Sequence, residues 1–224
     1  GGKLPISPFL PEIRRIKEEL DLFVSVHSGL VNEEEVKDLR RAGVDLVDYE
    51  FLVDEVVIKE VKGLKKSRSD FLKSLDILIR EGPPYISPHV LIGVRNGEVS
   101  EGDAEAIEFL SDLDFHVITF LVFTPTKGTP MERTPSPPPF RVRDLIASAR
   151  KKLKGEIALG CMRPSSYKES LDEELLRLDV VDRLAVPRLK VVRKHSLRLV
   201  GACCSVPREE LQRFPFLEIQ QRSL

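Results

Sequence analysis

The chain of 224 residues has no tryptophan, two methionines, three cysteines, four histidines and two asparagines, Asn32 and Asn96. Three cysteines cannot pair completely, and a chain this long buries a sizeable core without disulfide staples. A reducing, cytoplasmic setting is therefore expected. No apolar run reaches the roughly 20 residues of a membrane-spanning helix, and the first residues carry no signal-peptide pattern, so no membrane partner is expected. An excess of one charge is also missing: 35 Lys and Arg stand against 36 Asp and Glu, a net charge of −1. That balance offers no footprint for nucleic acid or anionic lipid, and runs such as KEVKGLKK read as solvated helix faces. Scarce Asn and Gln beside abundant Lys, Arg and Glu suit a thermophile. No Gly-rich phosphate loop follows the first strand-like run, which weighs against a dinucleotide-binding fold.

What is present is an alternation of two periods. Ile13, Ile16 and Leu20 share one helical face over 11–20. LFVSVHSG then reads as a buried strand, 22–27. Asn32 stands three residues before Glu35, a cap for the helix EEEVKDLRRAG. VDLVDYEF, 44–51, is the next strand, and DEVVIKEVKG a short helix closed by Gly63. Ser67 caps a helix whose Phe71, Leu72, Leu75 and Leu78 face inward. YISPHVLIGV is a strand whose Pro88 suggests a sheet edge or an early bulge. A helix over EGDAEAIEFLSDL and the strand HVITFLVF follow. TPTKGTPMERTPSPPP, 124–139, is a long loop, and loops of that length inside compact domains often carry function. A helix at 140–153, a strand at 156–160, a helix at 168–177, a strand at 180–186, a short helix and a last strand near 197–200 complete the pattern.

Strict alternation with short connections predicts an α/β fold of about six parallel strands. Polar and special residues gather just past the strands: His27, Asp48 with Glu50, Gly93, Thr124, Cys161 with Arg163, and Pro187 with Arg188. A β/α barrel builds its active site in that position. Six strands do not close an eight-stranded barrel, and an open one has two bare edges. We therefore expect a partial TIM-like barrel over 1–200 with a tail over 201–224. Two strands and a helix would come from an N-terminal segment or from a second subunit.

Each candidate has two readings. Asp48 and Glu50 alternate along a strand, so their side chains share a direction; carboxylates there also cap neighbouring helices. His27 with Ser28 and Gly29 suits a substrate pocket, whereas His89 precedes an apolar run and suits a core. His116 and His195 lack context. Gly93, Gly97 and Glu98 make a turn. Thr124, Thr126 and Thr129 rim a pocket or bond within their own turns. Arg163 can fork onto a ligand carboxylate or pair with the acidic helix YKESLDEEL. Cys161, Cys203 and Cys204 are packing residues, unless the tail folds over the barrel mouth and brings them together.

Three stretches carry a resemblance. PHVLIGVRNGE, 88–98, FTPTKGTPME, 123–132, and LGCMRP, 159–164, with ACCS at 202–205, resemble the radical S-adenosylmethionine superfamily, in particular archaeal homologues of biotin synthase. The similarity runs over nearly the whole chain. It implies that Asp48, Glu50, Gly93, Gly97, Glu98, Thr124 and Arg163 face S-adenosylmethionine, with adenine lying against the glycines. It further implies a substrate pocket at His27, Thr126 and Thr129, for a small-molecule or acyl-chain substrate. Sulfur insertion into an unactivated C–H bond is the implied chemistry. Sulfur-inserting relatives carry a second iron–sulfur cluster, for which Cys161, Cys203 and Cys204 are the available ligands. The superfamily's Cys-x-x-x-Cys-x-x-Cys loop, whose thiolates hold a [4Fe-4S] cluster, is absent from this sequence. The chain alone is thus expected to bind S-adenosylmethionine weakly or not at all. A non-catalytic barrel fragment or partner subunit is the competing reading. A lysine-dependent lyase is a third, and only Lys127 stands near a strand end for it.

Overall fold

The computed structural model describes residues 5–217. Six parallel strands form one sheet: β1 (Ser25–His27), β2 (Leu46–Glu50), β3 (Tyr85–Ile92), β4 (Val117–Val122), β5 (Glu156–Leu159) and β6 (Arg183–Leu184). Their order in the sheet is their order in the chain. Helices α1 (Leu10–Leu20), α2 (Glu33–Arg41), α3 (Arg68–Glu81), α4 (Glu101–Ser111), α5 (Pro139–Arg150), α6 (Tyr167–Arg177) and α7 (Leu189–Lys194) alternate with them. A two-stranded antiparallel sheet follows, β7 (Leu199–Val200) with β8 (Phe216–Leu217).

Local chemistry sets the helix starts. Asn32 Oδ1 accepts from the Glu34 and Glu35 amides at 3.0 Å, and Glu35 answers to the Asn32 amide at 2.9 Å. Ser67 with Asp70 and Ser100 with Asp103 repeat that box before α3 and α4. The expected helix over 54–63 is a π-helical turn, Val57–Val61, begun by Asp54 Oδ1 and ended by Gly63 at φ 62°.

Alternation along the strands splits the sheet into two faces. Val47, Tyr49, Val90, Ile92, Ile118, Phe120, Ile157 and Leu159 point outward and share one apolar core with Phe71, Leu75, Leu78, Ile107, Ile146 and Leu175 from the helices. Each such side chain, fully buried, contributes about 1.5–3 kcal/mol. The outward Tyr49 hydroxyl donates to the Phe71 carbonyl at 2.9 Å. The other set faces the concave side: Ser25 and His27, Leu46, Asp48 and Glu50, Ser87 and His89, Thr119, Ala158 and Arg183, as the strand register places them side by side.

Pro88 lies in a central strand, not at an edge. The Tyr85 amide and the His89 carbonyl bond toward β2, so position 88 faces β4, and pairing with β4 begins only at His89. The missing N–H falls where no ladder bond is required. The sixth strand is shorter than the expected 180–186. Val180 and Val181 turn into the core, and Asp182 takes the Ile157 amide at 2.7 Å before pairing starts.

Candidate functional site at the concave face

Asp48 is the centre of the concave face. It is 3% exposed, and its Oδ2 accepts from Ser25 Oγ at 2.5 Å. His27 Nε2 stands 3.8 Å from Oδ2, and His89 Nε2 stands 3.8 Å from Oδ1. The two imidazole rings meet edge to face with centroids 5.6 Å apart. Asp48 Oδ1 is buried and has no hydrogen-bond partner. His89 Nδ1 lies 3.0 Å from the Ser87 carbonyl. A carbonyl only accepts, so Nδ1 carries the proton of the neutral ring and Nε2 is bare. Burial holds the His89 pKa below its ordinary value, which keeps that ring neutral. Two acceptors, Asp48 Oδ1 and His89 Nε2, therefore face each other with no donor between them. A buried acceptor without a donor is costly, and this pair is built to receive a hydrogen-bond donor.

The tail closes the N-terminal end of this face, opposite the strand exits. Arg183 donates to the Cys204 carbonyl at 3.3 Å, and bonds the Val206 carbonyl and Glu156. His116 Nε2 donates to the Ser205 carbonyl at 2.9 Å. Further along, Arg208 pairs with Glu156, and Phe214 packs edge-on against Phe23 at 6.0 Å. Ser205 and Val206 are buried. Cys203 and Cys204 thereby rise toward Asp48, whose charge is felt by both thiols. Cys161, just past β5, is exposed, and a negative charge placed there would push the Cys204 thiol up. Among the described residues no group of three or more His, Cys, Asp or Glu side chains is arranged to hold a metal ion. The three thiols thus share a neighbourhood without the convergence that ligands of a cluster need, and the tail covers the end of the sheet away from the mouth.

Several of the residues anticipated as ligand contacts are committed elsewhere. Arg163 forks onto Asp172 of α6 at 2.8 and 2.6 Å and donates to the Gly160 and Ala185 carbonyls; both side chains of the pair are fully buried. The pairing with the acidic helix is the role it fills, and no donor faces a ligand. Gly93 and Gly97, at φ 81° and 74°, give room to the Pro-rich loop rather than to a flat ring: a Cβ on Gly93 would lie 2.5 Å from Pro137 Cγ, and one on Gly97 2.0 Å from the Pro135 carbonyl oxygen. Glu98 is exposed in the Arg95–Glu98 turn. Thr124, Thr126 and Thr129 donate to the carbonyls of Val122, Thr124 and Thr126, the turn bonding of their alternative reading. Glu50 pairs with Lys62 at 2.5 Å. Ser28 donates to Gly29.

His27 and Asp48 remain, and the structure adds His89, Ser25, Ser87 and Thr119. Ser87 and Thr119 hydroxyls meet at 3.2 Å in a fully buried position. The signal for them lay in the strands: Ser25/His27, Asp48/Glu50 and Ser87/His89 are polar at period two within runs that a parallel sheet ordinarily makes apolar throughout.

Solved structures share this architecture at low identity. Methylornithine synthase (PylB) matches with a TM-score of 0.55 and 16% identity over 85% of this chain and 61% of that one. HydG, a maturase of the [FeFe]-hydrogenase, matches with 0.60 and 14% over 80% of this chain and 42% of that one. The carboxyl transferase domain of Rhizobium etli pyruvate carboxylase matches with 0.54 and 12% over 84% and 33%. The fold is a partial β/α barrel. This barrel chain spans about 61% of PylB and less of the other two. No protein-family model and no curated protein matches it.

Proposed function

We propose that this chain supplies the substrate-facing wall of a radical S-adenosylmethionine-type enzyme and works with a segment or partner that carries the cluster. The observation that carries the reading is the concave polar face around Asp48 in a sheet left open at both edges. Among the described residues β1 pairs only with β2 and β6 only with β5. Exposed Leu20 and Leu22 precede the first edge, and exposed Val186 and Leu189 follow the last. PylB and HydG, both radical S-adenosylmethionine enzymes, support it through the shared fold. So does the position of the resembling stretches, at the exits of β3, β4 and β5.

The described residues do not fit the cluster, since no thiol trio is arranged for it, and Pro137 and Pro135 lie against Gly93 and Gly97. The role assigned to this chain is therefore substrate binding. The bare acceptors of Asp48 and His89 take a hydrogen-bond donor of a small-molecule or acyl-chain substrate, and the accessible His27 stands at the entrance. Sulfur insertion on that substrate is the chemistry to which the biotin synthase resemblance points.

The test uses the iron-free chain and the same chain joined to a Cys-x-x-x-Cys-x-x-Cys segment encoded upstream of Gly1 or by a partner gene. The iron-free chain shows no tight binding of S-adenosylmethionine by calorimetry. The joined protein, reconstituted anaerobically and reduced, releases 5′-deoxyadenosine. Tight binding by the iron-free chain, or a reconstituted joined protein that releases none, refutes the proposal.

A further inference from the structure

Cys203 and Cys204 stand on a tight turn that the fold holds firmly. The Val206 amide closes it on the Cys203 carbonyl at 3.2 Å, and Arg183 and His116 pin the carbonyls of Cys204, Val206 and Ser205. Cys203 is exposed, Cys204 half-buried. Ser205, fully buried, aims its Oγ at Cys203 Sγ and donates at 3.2 Å. Asp48 of β2 and His89 of β3 are the charged and titratable groups that face Cys203 from the sheet, and Cys161 acts on Cys204 from the β5 exit. Hydrogen bonds from Cys204 and Ser205 draw the Cys203 thiol down to about 5, while the bond to Cys203, together with burial, pushes Cys204 up. Cys203 thus presents an accessible sulfur to which a fixed, buried hydroxyl already donates, and the half-buried Cys204 stands next to it in the same turn.

We propose that Cys203 and Cys204 form a thiol–disulfide exchange site for low-molecular-mass disulfides. The Cys203 thiolate attacks one sulfur of the disulfide R–S–S–R, forms a mixed disulfide and releases R–S⁻. The Cys204 thiol gives its proton to that thiolate and attacks Cys203 Sγ, which expels the second R–S⁻. The dithiol is oxidised to a vicinal disulfide, and the reagent is reduced to two thiols after one proton from solvent. Closing the bridge removes a negative sulfur from beside Asp48 and His89. The charge of the concave face then follows the redox state of the surroundings. This inference stands on the turn and its donors and is independent of the radical-enzyme reading.

Oxidised glutathione is the probe and peptide mass the readout. Trypsin separates the two thiols, in 199–208, from Cys161, in 155–168. The unsubstituted chain loses two hydrogens from 199–208 and retains no glutathione. Cys204→Ser traps one glutathione on Cys203. Cys203→Ser, with its circular dichroism unchanged, reacts at least tenfold more slowly at 199–208. Ser205→Ala slows the reaction severalfold through loss of a bond to the thiolate. A Cys161 that reacts first, or a stable glutathione adduct on Cys203 of the unsubstituted chain, overturns the proposal.

Discussion

Two buried carboxylates of this protein behave differently because their donors differ. Asp48 has one hydroxyl donor and an orphaned oxygen, which leaves it open to a ligand. Asp103 receives the Ser100 amide at 2.9 Å and the Gly93 amide at 3.2 Å, and so ties the start of α4 to the exit of β3. Burial still dominates there and raises its pKa to about 6. A carboxyl whose folded pKa lies above its unfolded value binds more protons in the folded state between the two. Its contribution to stability is therefore present at the acid side and is lost as pH rises from about 4 to about 6. Urea denaturation over that window should show the native chain losing on the order of 2–3 kcal/mol relative to Asp103→Asn. Equal slopes in the two proteins would disprove the assignment. Arg163 shows the opposite balance. Four of its five N–H groups are bonded, two by the fork onto Asp172 and two to the Gly160 and Ala185 carbonyls, and such a buried pair costs about 3–5 kcal/mol when one partner is removed.

At the scale of elements, the loop between β4 and α5 decides what the β3 exit can do. Pro135 and Pro137 lie on Gly97 and Gly93, so that the loop forms a cover over the glycines. Asn96 and Gly97 both take positive φ, 58° and 74°, in the turn below it. Gly97→Ala would set a Cβ 2.0 Å from a backbone oxygen that cannot rotate away. The loop must lift or the turn must change, at a cost of about 1–3 kcal/mol. Limited proteolysis should then cut within 124–138 faster than in the native chain. An unchanged cleavage rate together with an unchanged melting temperature would show that the loop does not rest on this glycine.

At the scale of the molecule, a six-stranded arc has one convex face covered by helices and one concave face that needs a cover of its own. The tail provides it at the N-terminal end, and Arg183 is its main anchor, bonding two tail carbonyls and Glu156 together. Arg183→Ala leaves these carbonyls and Glu156 without that donor. Amide exchange of the 203–213 segment should accelerate at least tenfold while that of β2 to β4 stays as it was, because those strands hold each other through their own ladders. Uniform acceleration across the sheet would mean that the tail is part of the core instead of a cover. The edges at β1 and β6 are the second consequence of the arc: among the described residues each pairs on one side only, and such an edge is a template for further strands.

Local chemistry in the sequence determined the alternating elements, the caps at Asn32 and Ser67, the parallel sheet and the incomplete strand count, because periodicity and capping act over a few residues. It also contained the polar alternation of β1 to β3, which reads as a site only once one face of those strands is known to be concave. What tertiary structure alone decided was which polar groups are already satisfied. Arg163, Gly93 and Gly97 look like ligand contacts until Asp172, Pro137 and Pro135 are seen against them, and those partners lie 9 to 44 residues away in the chain. Likewise His89 reads as a core residue until Asp48, 41 positions earlier, is brought to 3.8 Å with an oxygen that has no hydrogen-bond partner. A hydrogen bond forms between neighbours in space, and only the packed sheet, with its tail folded beneath it, makes those residues neighbours.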